Sequence, residues 1–337
     1  MKTISSLAIA GLSVLFAASA PAITITESFT NDPAADGWQA FGDTNLFQWD
    51  STNHVLDVTW DSSKPNSYFY MPLGAMLTKN DDFSFSFDLT LSQAGTGDST
   101  GPLSMALGFL NLTNAMDPGF ERGAEPSPNI AEFDYYPDGF FPPDYPSPAT
   151  ATPGFVDSTS SAYAPADLTP YELELPTNVL MHIALTYTAS NQTAALTIST
   201  NGIPLAQFPS LVINDSGNGQ FTDTNDYQVD MFSVSSYSEA GQYPPYVASI
   251  FAQGSIGNLV VNLPPPAQNL AGSFTGGNWQ VQFSAHPNWL FILERTVDFQ
   301  TWTAVSPAVS GIMGNMFLSD TNAPTDKGFY RVRAQRP

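Results

Sequence analysis

The sequence predicts an all-β protein: an antiparallel β-sandwich followed by a second, smaller β domain. Three observations predict it. Apolar residues recur at every second position: Phe83, Phe85, Phe87, Leu89 and Leu91 alternate with Ser84, Ser86, Asp88 and Thr90, as in strands with one buried and one wet face. Clusters of Gly, Pro, Asn and Asp punctuate these runs. Beyond the amino-terminal segment no amphipathic stretch reaches three helical turns. Many short strands with turns at fairly regular spacing are the pattern of a sandwich or barrel.

Taken in chain order, Lys2 precedes an apolar run, Ile4 to Ala18, that is too short to span a bilayer and ends in small residues. This is the pattern of a cleavable signal peptide, residues 1–22, with the cut expected after Ala22. Cutting after Ala20 would place the Pro21 ring directly behind the cleaved bond. No later stretch is apolar enough for a membrane helix, so a secreted protein is expected, extracellular or loosely surface-associated. Leu56, Val58 and Trp60 alternate, as do Ile183, Leu185 and Tyr187, marking further strands; Trp38, Trp49 and Trp60 are expected in the core. Residues 117–170 break the rhythm with a Pro- and aromatic-rich tract, 135–146, and then Ser/Thr/Ala-rich sequence; a long loop is expected there, functional or disordered, its rings either presented to a ligand or plugging the end of the sandwich. Residues 264–268 open with three prolines and read as a stiff linker, dividing a sandwich at 23–263 from a β domain at 269–337.

Charge narrows the partners. Residues 23–264 carry 27 Asp and Glu against three Lys and Arg, a net of −24; residues 265–337 carry four against five, a net of +1. A surface at −24 repels nucleic acid and anionic membranes, whereas neutral glycans remain compatible. The absence of cysteine removes disulfides, thiolate zinc sites and thiol nucleophiles, so the core must hold the fold. There is no G-x-S-x-G, phosphate loop or dinucleotide fingerprint.

Several motifs carry a resemblance. Residues 178–187 (NVLMHIALTY) with 195–202 (ALTISTNG) are similar to a hairpin of laminin-G-like and concanavalin A-like domains. Residues 254–262 (GSIGNLVVN) resemble that superfamily's closing strand, with Gly257 where Asp is usual, and Glu27-Ser28-Phe29 with Gly37-Trp38 fits its opening strand. The resemblance implies a concanavalin A-like jelly-roll β-sandwich over residues 23–263. Residues 293–302 and 319–333 resemble a small β module that ends many secreted bacterial proteins, read as fibronectin-III-like.

Residues 129–137 (NIAEFDYYP) resemble the E-x-D-x-x-E strand of laminarinase-type glucanases. That resemblance implies Glu132 as nucleophile and Asp134 as its helper, and it places the acid/base residue on Pro137, which has no proton to transfer. On a strand both acids point to one face, with Cα atoms about 6.6–7 Å apart. Acid pairs at this spacing occur twice, at Glu132/Asp134 and Glu172/Glu174, against roughly three expected by chance in so acidic a chain. The leading reading is therefore a non-catalytic carbohydrate-binding or surface-adhesive protein for a neutral glycan. Its expected site is Glu132, Asp134, Tyr136, Phe140, Phe141 and Tyr145, where aromatic rings stack on sugar faces and carboxylates accept from hydroxyls. The alternatives are a glycan hydrolase or lyase using Glu132 and Asp134, and a structural matrix protein with no small ligand. Asp81, Asp82, Asp223 and Asp226 offer hard oxygen ligands for calcium, although turn residues have the same composition and no EF-hand-type loop is complete.

Overall fold

The computed structural model of the protein describes residues 23–96, 104–122, 128–137, 148–159, 169–213, 226–238, 250–286, 289–312, 314–324 and 327–335. The expected signal peptide lies outside them. The chain divides into two compact units, a larger one at Ala22–Pro264 and a smaller one beginning at Pro265.

In chain order the larger unit contains β1 (Ile23–Glu27), β2 (Gln39–Phe41), β3 (Phe47–Asp50), β4 (Val55–Asp61) and β5 (Ser67–Leu77). Then come β6 (Phe83–Thr96), β7 (Met105–Leu110), β8 (Ile130–Tyr136), β9 (Thr150–Val156) and β10 (Leu180–Thr188). The last are β11 (Thr193–Thr200), β12 (Ile203–Pro204), β13 (Leu211–Val212), β14 (Val229–Ser236) and β15 (Ile250–Leu263). One turn of helix, α1 (Leu112–Ala115), is capped by the Asn111 side chain accepting from the Asn114 N–H at 3.0 Å.

These strands form two antiparallel sheets. A nine-stranded sheet runs β12-β11-β10-β6-β15-β4-β3, with β1 added to β15 and β13 to β11; a six-stranded sheet runs β2-β5-β14-β7-β8-β9. The first and last strands of the unit pair, Ile23 opposite Leu263, which closes the chain on itself. The hairpin read from the sequence is β10–β11, with Leu185 opposite Leu196.

One face of each sheet meets the other across an aromatic core. Phe83, Phe85 and Phe87 of β6 face Phe109 of β7, Phe133 of β8 and Phe232 of β14. The Phe85 ring lies edge-on to Phe109 at 5.6 Å and to Phe232 at 5.3 Å, and Phe87 to Phe133 at 5.9 Å. Such edge-to-face pairs add about 0.5–1.5 kcal/mol each beyond the area they bury. The smaller unit has a three-stranded sheet, β16 (Ala267–Thr275), β17 (Asn278–Ala285) and β21 (Gly314–Asp320), in that order. Its second sheet is built on β18 (Leu290–Thr296), with β19 (Thr303–Ala304), β20 (Val309–Ser310) and β22 (Phe329–Gln335) paired to it. Phe283 and Phe291, 5.1 Å apart, join the two.

Three expectations are corrected. The interruption over 117–170 holds two full strands, β8 and β9; β9 is a sheet edge, where Pro153 removes no ladder bond that a central strand would need. Tyr135 and Tyr136 are strand residues, buried on opposite faces, not members of an aromatic loop. Trp49 is 36% exposed at the β3 edge, where its indole N–H donates to the Phe29 carbonyl, whereas Trp38 and Trp60 are in the core.

Phe85→Ala should destabilise the larger unit by about 3–5 kcal/mol in denaturant titration. Phe251→Ala, on a solvated face with the ring 39% exposed, should stay within about 0.5 kcal/mol of the parent.

Candidate functional site

The outer face of the six-stranded sheet carries the acidic pair. Alternation on β8 sends Ala131, Phe133 and Tyr135 into the core and Ile130, Glu132, Asp134 and Tyr136 to the opposite side. The positions beside the acids are small: Gly108 and Gly154 flank Glu132, and Ala106 and Thr152 flank Asp134. A Cβ at Gly154 would overlap the Asp134 carboxylate, and one at Gly108 would overlap Glu132 itself. These glycines make room for the carboxylates.

That face is covered. Arg122 donates from Nε to Glu132 Oε1 at 2.8 Å and from Nη2 to Asp134 Oδ2 at 2.9 Å. Tyr237 donates to Glu132 Oε2 at 2.8 Å, and Ser104 donates to Asp134 Oδ1 at 2.8 Å. Phe120, Tyr68 and Tyr237 complete an apolar lid, leaving Glu132 and Asp134 at 0% and 1% exposure. Burial pushes the Glu132 carboxyl up to about 8, with the Asp134 charge adding to it and Arg122 opposing it. Asp134 is also raised, again chiefly by burial, while Arg122 and the hydrogen bonds from Ser104 and Glu132 hold it down. The pair thus retains a proton that water-exposed carboxylates would release. Neither acid offers a lone pair to solvent, and Tyr136, 5% exposed beside them, offers no open ring face. Phe140, Phe141, Tyr145 and Asp223 lie outside the described residues.

The remaining acids proposed for calcium are engaged as turn staples. Asp81 accepts from the Thr78 N–H and hydroxyl at 2.9 and 3.1 Å. Asp82 accepts from the Ala189 N–H at 2.7 Å, and Asp226 from the Lys79 N–H at 2.8 Å. Among the described residues no three His, Asp or Glu side chains converge as ligands.

A different surface is open. The outer face of the nine-stranded sheet holds a groove of about 320 Å³. Its floor is two cross-strand rows: Thr59 opposite Gln253, and Asp57 opposite Ser255, which in turn faces Thr90. The short 3₁₀ turn at Thr44–Leu46 and Gln48 form one wall, and Ser92 forms the other. All polar lining groups but Asp57 are uncharged; burial, with the Asp50 charge, raises the Asp57 carboxyl above the usual range. Next along β15, Phe251 projects from the same face opposite Gly95, which has no side chain to cover the ring. Sequence reading missed this surface because its residues are ordinary wet-face positions. The available signal was Phe251 itself, an aromatic at a polar register of an alternating strand.

Neither protein-family models nor curated proteins match the sequence. Solved structures similar to the chain include lectin I from Ulex europaeus with the methyl glycoside of α-L-fucose, at 10% identity and TM-score 0.42, covering 72% of this chain and 98% of that one. Peanut lectin with a nine-residue peptide matches at 12% and 0.42 over 72% and 98%, and basic winged bean lectin with Tn-antigen at 12% and 0.39 over 73% and 100%. These are weak superpositions. The class of the protein, an all-β sandwich of two antiparallel sheets followed by a second small two-sheet β unit, rests on its own sheets and the aromatic core of the larger unit.

The buried Glu132/Asp134 pair keeps a proton to about pH 8, the value for its Glu132 member, whereas an ordinary glutamate releases it near 4.5. Stability from this group is therefore complete below pH 4.5 and is lost as pH rises through 8. Denaturation midpoints should fall across that window, and Glu132→Gln should flatten the slope. Gly154→Ala should cost about 1–3 kcal/mol by displacing the Asp134 carboxylate from Arg122, read as a lower midpoint at constant m-value.

Proposed function

We propose that this is a secreted, non-catalytic carbohydrate-binding or surface-adhesive protein that takes a neutral glycan on the outer face of the nine-stranded sheet. One observation carries the reading: a groove of hydroxyl and amide side chains, with a single carboxylate, and the half-exposed Phe251 ring two residues beyond Gln253 on the same face of β15. Sugar hydroxyls donate to and accept from such groups, and the apolar C–H face of a pyranose stacks on a ring held by a rigid strand. Gln253, Thr59 and Ser255 make no side-chain hydrogen bond among the described residues, so a ligand has no internal partner to displace there.

The charge of the chain supports an uncharged ligand. A net charge of −24 over residues 23–264 disfavours anionic polysaccharides and nucleic acids. The hydrolase reading loses its support, because the Glu132/Asp134 pair is buried against Arg122 and cannot meet a glycosidic bond. The smaller unit, a three-stranded and a four-stranded sheet, is read as a fibronectin-III-like accessory domain.

Pull-down on cellulose, chitin and β-1,3-glucan, alongside a glycan array, tests the proposal. Retention on a neutral polymer without release of reducing sugar is expected. Phe251→Ala and Gln253→Ala should each weaken it by about five- to tenfold, the equivalent of roughly 1 kcal/mol per lost contact. Absence of binding across the panel, or unchanged binding by both variants, would sink the reading. Sugar release that disappears in Glu132→Gln would restore the hydrolase.

A further inference from the structure

Beyond the groove's Asp57–Ser255–Thr90 row the outer face of the sheet continues. One step further along β6 and β15, on the same outer face, Asp88 stands opposite His182 of β10, and His182 stands opposite Ser199 of β11. The Asp88 carboxylate orients two neighbours: His182 Nδ1 lies 2.9 Å from Oδ1, and Asn258 Nδ2 donates to Oδ2 at 2.7 Å. Asn258 reaches it from a bulge between Gly257 and Val260, where its backbone takes a left-handed φ of 48°. Asparagine is among the few residues that tolerate this conformation, and bulges re-aim side chains in this way. The His182 side chain remains 52% exposed. Core packing asks for none of this, since all four groups lie on the solvated side.

On β15 the same row begins at Gly257, directly opposite Asp88 and next on that face after Ser255 of the groove. Its φ is not in the left-handed range, and an added Cβ would meet only Val55 Cγ1, at an ordinary 3.6 Å. Gly254 is different, because a Cβ there would press on the Thr90 carbonyl oxygen at 2.7 Å. Packing therefore requires a glycine at 254 but not at 257. The bare position at 257 leaves the β15 end of this row without a side chain, beside the Asp88 carboxylate and the groove.

We infer that the ligand is a glycan chain rather than a single sugar, laid across the strands from the groove, over Gly257, onto a second subsite of Asp88, His182, Ser199 and Asn258. This rests on the glycan reading of the groove. With neighbouring strands about 4.8 Å apart, the six strands from β3 to β11 span about 24 Å, several sugar units. The second subsite offers hydroxyl, amide and imidazole groups beside a carboxylate, the chemistry of hydroxyl recognition, and its imidazole adds an exposed flat face.

The experiment compares a disaccharide with an octasaccharide of cellulose, chitin and β-1,3-glucan, by calorimetry on the full chain. The parent protein should bind one octasaccharide about tenfold or more tighter than its disaccharide. Gly257→Tyr, which fills the bare position, and His182→Ala, an exposed change, should each abolish that gain. Disaccharide affinity and the thermal midpoint should not move. Equal affinity for both lengths in the parent, or a full length gain in Gly257→Tyr, would overturn the second subsite and leave the groove reading standing. No binding of either length would overturn both.

Discussion

The packing of Phe85 between Phe109 and Phe232 is the contact on which the larger unit depends. The chain has no cysteine to cross-link it, so the two sheets are held by what they bury between them. Aromatic rings suit that task, since each buries a large area and its edge-to-face geometry fixes the neighbouring ring. Phe85 belongs to β6, which pairs with both β10 and β15. The placement of β6 therefore sets the hairpin on one side and, on the other, the strand that closes the unit against β1.

The two sheets end their outer faces differently, and function follows that difference. Strands β7 and β8 of the six-stranded sheet are buried at every position, and β14 at nearly all. A second layer, with Phe120, Arg122 and Tyr237, lies over them. Polar residues trapped beneath such a layer need partners, because a buried unpaired carboxylate is costly. Arg122, Tyr237, Ser104 and a retained proton supply them. In the nine-stranded sheet, β10 and β11 alternate between buried and exposed positions, and their outer face stays in water. Of the two outer faces, among the described residues, this one can meet a large ligand without the structure opening.

Glycine shows the same division. At 154 the space of the missing side chain is filled by the Asp134 carboxylate and at 108 by the Glu132 backbone and Cβ, so the fold needs both glycines. At 257 the space opens onto solvent beside an ordered histidine and asparagine, and the proposed ligand path uses it. Residue type alone does not separate these cases; the atoms around the Cβ position do.

Much of the architecture was legible in the residues. The alternation of Phe83, Phe85 and Phe87 with serine and aspartate marks β6, and that of Ile183, Leu185 and Tyr187 marks β10, because a side-chain period of two is a local property. The uneven charge is likewise set by composition alone. Alternation, however, says only that one face of a strand is polar. Whether that face meets water or another layer depends on residues distant in sequence. Glu132 is sealed by Arg122 and by Tyr237, 105 positions away, while Gln253 is left open although its strand reads much the same. Burial is a property of the assembled layers, and so only the tertiary structure could decide which of two polar faces serves the fold and which remains free to bind.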